Sequence, residues 1–390
     1  MVAAAGIEGG GSYILPLSNF NARGLSSVGS YRGMARFGSY DMAGNVKEWT
    51  MNARDDESRY ALGGAWDEAE YMFSKFDASP PIDRGPTVGF RLAKRVSTLP
   101  QAAFDPVSLG PRDAPRAPPA DDKVFRIFLG LHAYDRTELE SRRERVFESP
   151  NWRRETVSFR AAYGTERVQA HLFLPTNATP PYQIVAFFGH SGILAQTRIE
   201  DLRLPYEFVV RSGRALIIPA YDGSLERGPT DRILPPVQMR ERALNWSKDL
   251  GRSLDYLDTR ADIDITRLAF YGVSMGAVEG TRLVAVEPRF KTAVLVSGGL
   301  LTRGGLPEVD PYNFAPRVHV PVLMLNGRQD FLIPVETHQK PLFAALGTKE
   351  PEKVFKQYDG SHANLVTRPD LMGEILNWLD QYLGRVDLIP

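Results

Sequence analysis

The chain has 390 residues, of which 43% are hydrophobic and 24% are charged. This length and composition suit two or more domains with a large buried core, and they argue against global disorder. The chain has 47 basic residues (lysine plus arginine) and 47 acidic residues (aspartate plus glutamate), so its overall charge gives no support for binding nucleic acid or an anionic membrane. It has no cysteine, which excludes disulfides, thiolate metal sites and a cysteine nucleophile.

Residues 1–96 are rich in glycine, aromatic residues and short polar runs, which indicates loops joined by short strands. The first residues lack the basic and apolar regions of a signal peptide. No apolar stretch reaches the length of about 18 residues that a transmembrane helix needs. We therefore expect a cytoplasmic protein without a signal peptide or a membrane span.

Four motifs mark this segment, at residues 18–20, 38–49, 63–66 and 89–93. Their order and spacing resemble the C-terminal part of the formylglycine-generating-enzyme (sulfatase-modifying factor) domain. The resemblance implies a partial C-type-lectin-like α+β module. Because a truncated module cannot bury its core alone, we expect it to pack on the rest of the chain or on another copy in a homo-oligomer. That family's oxidase chemistry uses a cysteine pair, so formylglycine generation is not expected from a chain without cysteine.

The same resemblance implies a structural calcium site in the N-terminal module. Its ligands would be the side chains of Asp41 and Glu48 with the carbonyl groups of Gly44 and Val46, all oxygen donors as a hard cation requires. The other interpretation is that Asp41 and Glu48 are turn and surface residues. Because the module is truncated, this second interpretation is preferred.

Residues 97–120 form a predicted linker between two domains. Alanine and glycine fill much of this stretch, which is typical of a semi-extended connection and differs in composition from both flanks. Its prolines are Pro100, Pro106, Pro111, Pro115, Pro118 and Pro119.

Residues 121–390 alternate apolar strands with helical patterns. A helix is predicted to begin at Asp121 and Asp122, followed by a hairpin of residues 157–161 and 168–174. The continuous apolar runs that follow are typical of a parallel sheet buried on both faces, so the pattern predicts a doubly wound, mostly parallel α/β sheet. These runs are 184–188, 215–218, 268–271, 293–296, 322–325 and 354–358.

Ser274 lies between a predicted strand and a predicted helix. Gly272 and Gly276 flank it in the pattern G-x-S-x-G, which in this context is the nucleophile elbow. Over residues 121–390 the sequence resembles the α/β-hydrolase superfamily, within it the esterases related to dienelactone hydrolase and prolyl oligopeptidase. In particular it resembles the hydrolase module that is found fused to formylglycine-generating-enzyme-like domains.

A serine hydroxyl needs a base to take its proton, and histidine is the usual base. Chain order in this fold places the histidine after the serine, and His362 follows the last predicted strand, where the superfamily's histidine lies. His319 and His338 are better explained by surface or packing roles. The histidines are His132, His171, His190, His319, His338 and His362.

The acid that orients the histidine should follow the penultimate strand. Asp330 lies in the loop after 322–325, so it is the predicted third member, with the role of holding His362 in the required tautomer. Glu336 and Asp310 are weaker alternatives. Asp359 is too close to His362 along the chain and is expected to cap the loop.

Two backbone N–H groups should form the oxyanion hole. The first is that of Met275, which follows the nucleophile. The second comes from His190 or Ser191, with preference for His190; its imidazole could instead line the pocket or cap the loop. Gly189 in the same loop permits close approach of the substrate, and Tyr221 is a second candidate pocket residue.

These residues predict a serine carboxylesterase that acts through an acyl-enzyme without a catalytic cofactor. Short-acyl or aryl esters, such as acetyl or feruloyl esters, are the expected small-molecule substrates. Two alternatives stay open. One is a serine peptidase of the oligopeptidase type, against which the absence of a propeller domain counts. The other is a non-catalytic sensing or interaction module.

Overall fold

The computed structural model describes residues 14–35, 38–68, 70–74, 77–94, 97–107, 118–202, 206–228, 234–301, 305–330, 332–362, 365 and 368–389. These residues form two compact units. Unit 1 contains the described residues of Met1–Arg112, Gly327–Pro334 and Asp359–Ala363. Unit 2 contains those of Asp113–Asn326, Val335–Tyr358 and Asn364–Pro390.

Unit 1 is built on a small sheet. Its strands among the described residues are β1 (Lys47–Ala53), β2 (Arg59–Leu62), β3 (Asp77–Ser79) and β4 (Val88–Gly89), in the order β3-β2-β1-β4. β1 pairs with β2 in antiparallel and with β4 in parallel orientation. The predicted loops with short strands are therefore present.

Unit 2 is organised around a large sheet, whose strand order among the described residues is β13-β12-β11-β10-β8-β9-β7-β6-β5. The central strands β8 to β12 pair in parallel, while β5, β6 and β7 are antiparallel to their neighbours. The strands are β5 (Arg142–Ser149), β6 (Trp152–Arg160), β7 (Arg167–Pro175), β8 (Tyr182–Phe188), β9 (Ala215–Pro219), β10 (Ile263–Val273), β11 (Thr292–Val296), β12 (Val322–Gly327) and β13 (Lys353–Tyr358).

All six predicted apolar strands and the predicted hairpin occur in this sheet. Residues of β8, β9 and β11 are almost wholly buried, as parallel strands covered on both faces require. The edge strand β5 was not predicted. Its sequence is mostly charged and its side chains are exposed, so it carries no apolar signal.

Helices α3, α4 and α7 each pack against the central strand β10. Asp121 caps α1 by accepting hydrogen bonds from the N–H groups of Lys123 and Val124. Within the described ranges, no helix is both long and apolar enough to cross a bilayer. The helices are α1 (Asp122–His132), α2 (Glu207–Arg211), α3 (Pro236–Asp258), α4 (Met275–Val286), α5 (Pro311–Phe314), α6 (Lys340–Ala345) and α7 (Pro369–Leu383).

Candidate active site

Ser274 occupies the turn between β10 and α4 in unit 2. Its backbone has φ 54° and ψ −113°, a conformation that residues with a side chain rarely adopt. Its N–H donates to the carbonyl of Val296 at 2.8 Å, and its own carbonyl accepts from the N–H of Val278 at 2.9 Å. The turn is therefore held from both sides, and the predicted strand–turn–helix arrangement is present.

The two glycines of the elbow are required by close packing. A Cβ on Gly276 would lie far inside van der Waals contact of the Phe188 carbonyl oxygen, and one on Gly272 would overlap the Gly276 carbonyl. A side chain on Gly276 would push the turn away from the end of β8, and one on Gly272 would push against the first turn of α4. The pattern G-x-S-x-G thus follows from the space available around Ser274.

Asp330 and His362 form a buried hydrogen-bonded pair in unit 1. His362 Nδ1 and Asp330 Oδ2 are 2.8 Å apart. The other carboxylate oxygen, Oδ1, accepts from the N–H groups of Leu332 and Ile333 at 3.0 and 2.8 Å, which fixes the carboxylate. With Asp330 ionised, Nδ1 carries the proton and Nε2 is left as the basic nitrogen.

The alternative acids have other roles in the structure. Glu336 is exposed and pairs with Lys340, and Asp359 is exposed and pairs with Arg328. Asp310 caps α5 by accepting from the N–H of Tyr312.

The charge around His362 favours its protonated form. Burial is the largest single effect and lowers the pKa of His362. The charge of Asp330, its hydrogen bond, and the charges of Asp77 and Glu68, also in unit 1, together raise that pKa above the ordinary value.

Asp77 and Glu68 belong to a buried ion cluster that sequence reasoning missed. Lys47 Nζ donates to Glu68 Oε1 at 2.8 Å and also to Asp77 Oδ2. Side chains of all three are less than a tenth exposed. Burial raises the pKa of Asp77 to about 6, with Lys47 acting in the opposite direction. An isolated charged residue in a sequence is usually exposed, so no sequence pattern predicted this buried cluster.

The three predicted catalytic residues lie in different units. Ser274 belongs to unit 2, whereas Asp330 and His362 belong to unit 1. Along the chain, each follows a strand of the same sheet: Ser274 follows β10, Asp330 follows β12 and His362 follows β13. The triad as a whole stays a prediction.

A backbone hydrogen bond in unit 2 joins the two segments that carry the predicted oxyanion donors. Met275 is the first residue of α4, so its N–H lies outside the internal hydrogen bonds of the helix. Gly276 N–H donates to the carbonyl of Gly189 at 3.0 Å, which ties the loop of His190 and Ser191 to the first turn of α4. The second donor stays His190 or Ser191.

The side chain of His190 caps its own loop. Its Nδ1 accepts from the N–H of Gly192 at 2.9 Å, at the start of a short 3-10 turn, Ser191–Ala195. Tyr221, the other predicted pocket residue, is fully buried and stacks on Phe188 with ring centroids 3.9 Å apart. Its hydroxyl has no hydrogen-bond partner among the described residues.

The predicted calcium ligands have protein partners. Arg91 Nε donates to both carboxylate oxygens of Glu48, at 3.1 and 2.8 Å, and Arg91 Nη2 donates to the carbonyls of Tyr40 and Asp41. Asp41 Oδ2 accepts from the N–H of Gly29 at 2.7 Å. A guanidinium already neutralises Glu48, so the residues fit a calcium ion poorly as arranged, and calcium binding through Asp41, Gly44, Val46 and Glu48 stays a prediction.

Comparison with known protein families identifies the N-terminal segment. Residues 9–96 match the family described as the sulfatase-modifying factor enzyme 1-like domain. This match confirms the resemblance seen in the four motifs.

Curated relatives match part of the chain. The alpha/beta hydrolase domain-containing protein WAV2 of Arabidopsis thaliana is 28% identical over 144 residues, which are 30% of this chain and 46% of that protein. Cutinase 2 of Thermobifida cellulosilytica is 30% identical over 121 residues, which are 30% of this chain and 42% of that protein. The chain thus spans less than half the length of these curated relatives.

Solved structures extend the likeness over a larger part of the chain. The acetyl xylan esterase from Paenibacillus sp. R4 has a TM-score of 0.53 at 18% identity, covering 67% of this chain and 94% of that protein. Acetyl xylan esterase 1 from Thermoanaerobacterium sp. JW/SL YS485 also has a TM-score of 0.53, at 17% identity, covering 68% and 96%. The predicted α/β-hydrolase fold is therefore confirmed.

Proposed function

We propose that this chain, an α/β-hydrolase fold preceded by a sulfatase-modifying-factor-like segment, is a serine carboxylesterase. The observation that carries the proposal is the strained turn that holds Ser274 between β10 and α4. A serine in this position projects from the carboxyl edge of a parallel sheet, where α/β folds bind their ligands. The buried pair of His362 and Asp330 supplies the base and the group that orients it.

In the proposed reaction, Ser274 Oγ attacks the ester carbonyl carbon while His362 Nε2 takes its proton. The carbonyl oxygen becomes an oxyanion, which the N–H of Met275 and that of His190 or Ser191 stabilise. The C–O bond to the alcohol then breaks, and His362 gives its proton to the departing alkoxide. A water molecule attacks the acyl-enzyme in the same way and releases the acid and Ser274.

The substrate class is proposed from the relatives. Two structural neighbours are acetyl xylan esterases and one curated relative is a cutinase. We assign short-acyl or aryl esters, of the acetyl or feruloyl type, to this chain. The reaction needs no cofactor, because the proton and the acyl group pass only between protein, substrate and water.

Turnover of p-nitrophenyl acetate tests the proposal. Ser274→Ala is expected to lower kcat/KM about a thousandfold or more, because it removes the nucleophile. Ser149→Ala, at the end of β5 on the far edge of the sheet, is the matched control and should retain wild-type turnover. Ester hydrolysis that survives Ser274→Ala would refute the mechanism, and equal turnover of p-nitroanilide peptides would favour a peptidase.

A further inference from the structure

Unit 2 contains a cavity of about 430 Å³ that sequence reasoning did not find. Its walls come from three segments: the first turns of α3, the first turn of α4 and the chain between β11 and α5. Most of its lining is apolar, including Met239, Ala243, Val278, Leu301, Leu306 and Val309. The volume lies within the range of about 300–1,000 Å³ that is usual for small-molecule sites.

The three wall segments begin at one edge of the sheet. α3 follows β9, α4 follows β10, and the third segment follows β11. These strands run parallel within the sheet, so their carboxyl ends lie on the same side. Ligands of doubly wound sheets bind at that side. The cavity therefore lies on the side of the sheet from which Ser274 projects.

Val278, four positions after Ser274 in α4, lines the cavity. Its N–H donates to the Ser274 carbonyl at 2.9 Å. The neighbouring residues of the turn face other elements: Gly276 packs on the Phe188 carbonyl, and Ala277 packs on Gly298. Val278 is thus the side chain by which the nucleophile's own turn borders the cavity.

Three charged side chains line the cavity: Arg240 and Glu279 form ion pairs, and Asp310 accepts a hydrogen bond from the N–H of Tyr312. Arg240 donates to Glu308 at 3.0 Å and to Glu241 at 2.6 Å. Glu279 accepts from Arg282 at 2.7 Å. These partners already compensate the charges of the wall, whereas the hydrophobic lining offers an apolar ligand direct contact. The wall chemistry therefore selects an uncharged aryl or alkyl group.

We propose that this cavity receives the apolar group of the ester substrate, with Val278, Ala243 and Val309 setting the largest group that fits. This assignment rests on the proposed esterase function. The apolar group can belong to the acyl or to the alcohol side of the ester, and both share the chemistry that the cavity recognises. Val278 is a specificity-determining residue in this account, not a member of the catalytic triad.

A steric substitution tests the assignment. The experiment has two arms, each a pair of esters compared by kcat/KM. The acyl arm compares p-nitrophenyl acetate with p-nitrophenyl benzoate. The alcohol arm compares methyl acetate with 2-naphthyl acetate. Val278→Phe is expected to lower the bulky-to-small ratio of kcat/KM about tenfold or more in the arm whose group enters the cavity, because the added ring occupies that space. The arm that responds identifies the acyl or the alcohol side.

Val286→Phe is the matched control. It makes the same change at the other end of α4, where Val286 lines a separate cavity of about 240 Å³, and it should leave both ratios at the wild-type value. Val278→Ala enlarges the cavity and is expected to raise the bulky-to-small ratio. It therefore tests the assignment independently if the phenylalanine variant fails to fold.

Unchanged ratios in both arms for Val278→Phe and Val278→Ala, with acetate turnover present in wild type, would overturn the assignment alone. An equal change in Val286→Phe would also overturn it. Absence of acetate turnover in wild type would refute the esterase function and this assignment together.

Discussion

At the scale of single residues, the proposed chemistry depends first on the conformation of Ser274. A non-glycine residue with positive φ outside the left-handed helical region costs about 1–3 kcal/mol, and the surrounding structure must supply that energy. Here the hydrogen bonds to Val296 and from Val278 hold the turn. In the proposed mechanism the backbone of the nucleophile is therefore held in place before any ligand binds.

The charge on Asp77 provides a test at the same scale. Above its raised pKa of about 6, Asp77 is ionised and the cluster with Lys47 and Glu68 is net negative, which favours the imidazolium form of His362. Asp77→Asn removes that charge, so the pKa of His362 falls. In the proposed mechanism the neutral imidazole is the base, so activity should rise with pH through this pKa. The acid limb of the kcat/KM profile is therefore expected to move to lower pH.

The control for this experiment is Asp55→Asn, which changes an exposed carboxylate in the same unit. Its acid limb should coincide with that of wild type. A profile that also stays in place for Asp77→Asn would contradict the proposed influence of the cluster on His362. Melting curves of both variants separate this electrostatic effect from loss of the fold, since Lys47 loses one buried partner.

At the scale of elements, the elbow depends on how closely α4 approaches the loop after β8. Gly276→Ala is expected to destabilise the protein by about 1–3 kcal/mol or more, because the new Cβ would overlap the Phe188 carbonyl. Gly130→Ala in α1 is the matched control. That position is open, so alanine should stabilise the helix by about 0.5–1 kcal/mol. Urea unfolding of both variants measures the difference, and a neutral Gly276→Ala would contradict the packing described.

The elements show which physical signals the sequence carries. Apolar runs such as those of β8 and β10 predict strands because both faces of a central parallel strand are buried. β5 escaped prediction because it is exposed and mostly charged. The order of Ser274, Asp330 and His362 along the chain could be predicted from fold topology. The cavity bordered by Val278 could not, because it depends on how three separate segments pack.

At the scale of the whole molecule, the two compact units do not coincide with the two sides of the predicted linker. The segments Gly327–Pro334 and Asp359–Ala363, which carry Asp330 and His362, are counted with the N-terminal residues in unit 1. The predicted domain boundary at residue 121 places both segments in the hydrolase domain. Their grouping in unit 1 arises from contacts between residues far apart in the chain, which no local sequence pattern encodes. The N-terminal segment therefore contributes Asp77 and Glu68, whose charges raise the pKa of His362.

Covalent capture of the nucleophile tests the central claim most directly. Diisopropyl fluorophosphate forms a bond from phosphorus to an activated serine oxygen and releases fluoride. Mass spectrometry of the treated protein should show one adduct, on the peptide that contains Ser274, and the adduct should be strongly reduced in His362→Ala, which lacks the base. An adduct on a different serine, or none in a folded protein, would contradict the assignment of Ser274 as the nucleophile.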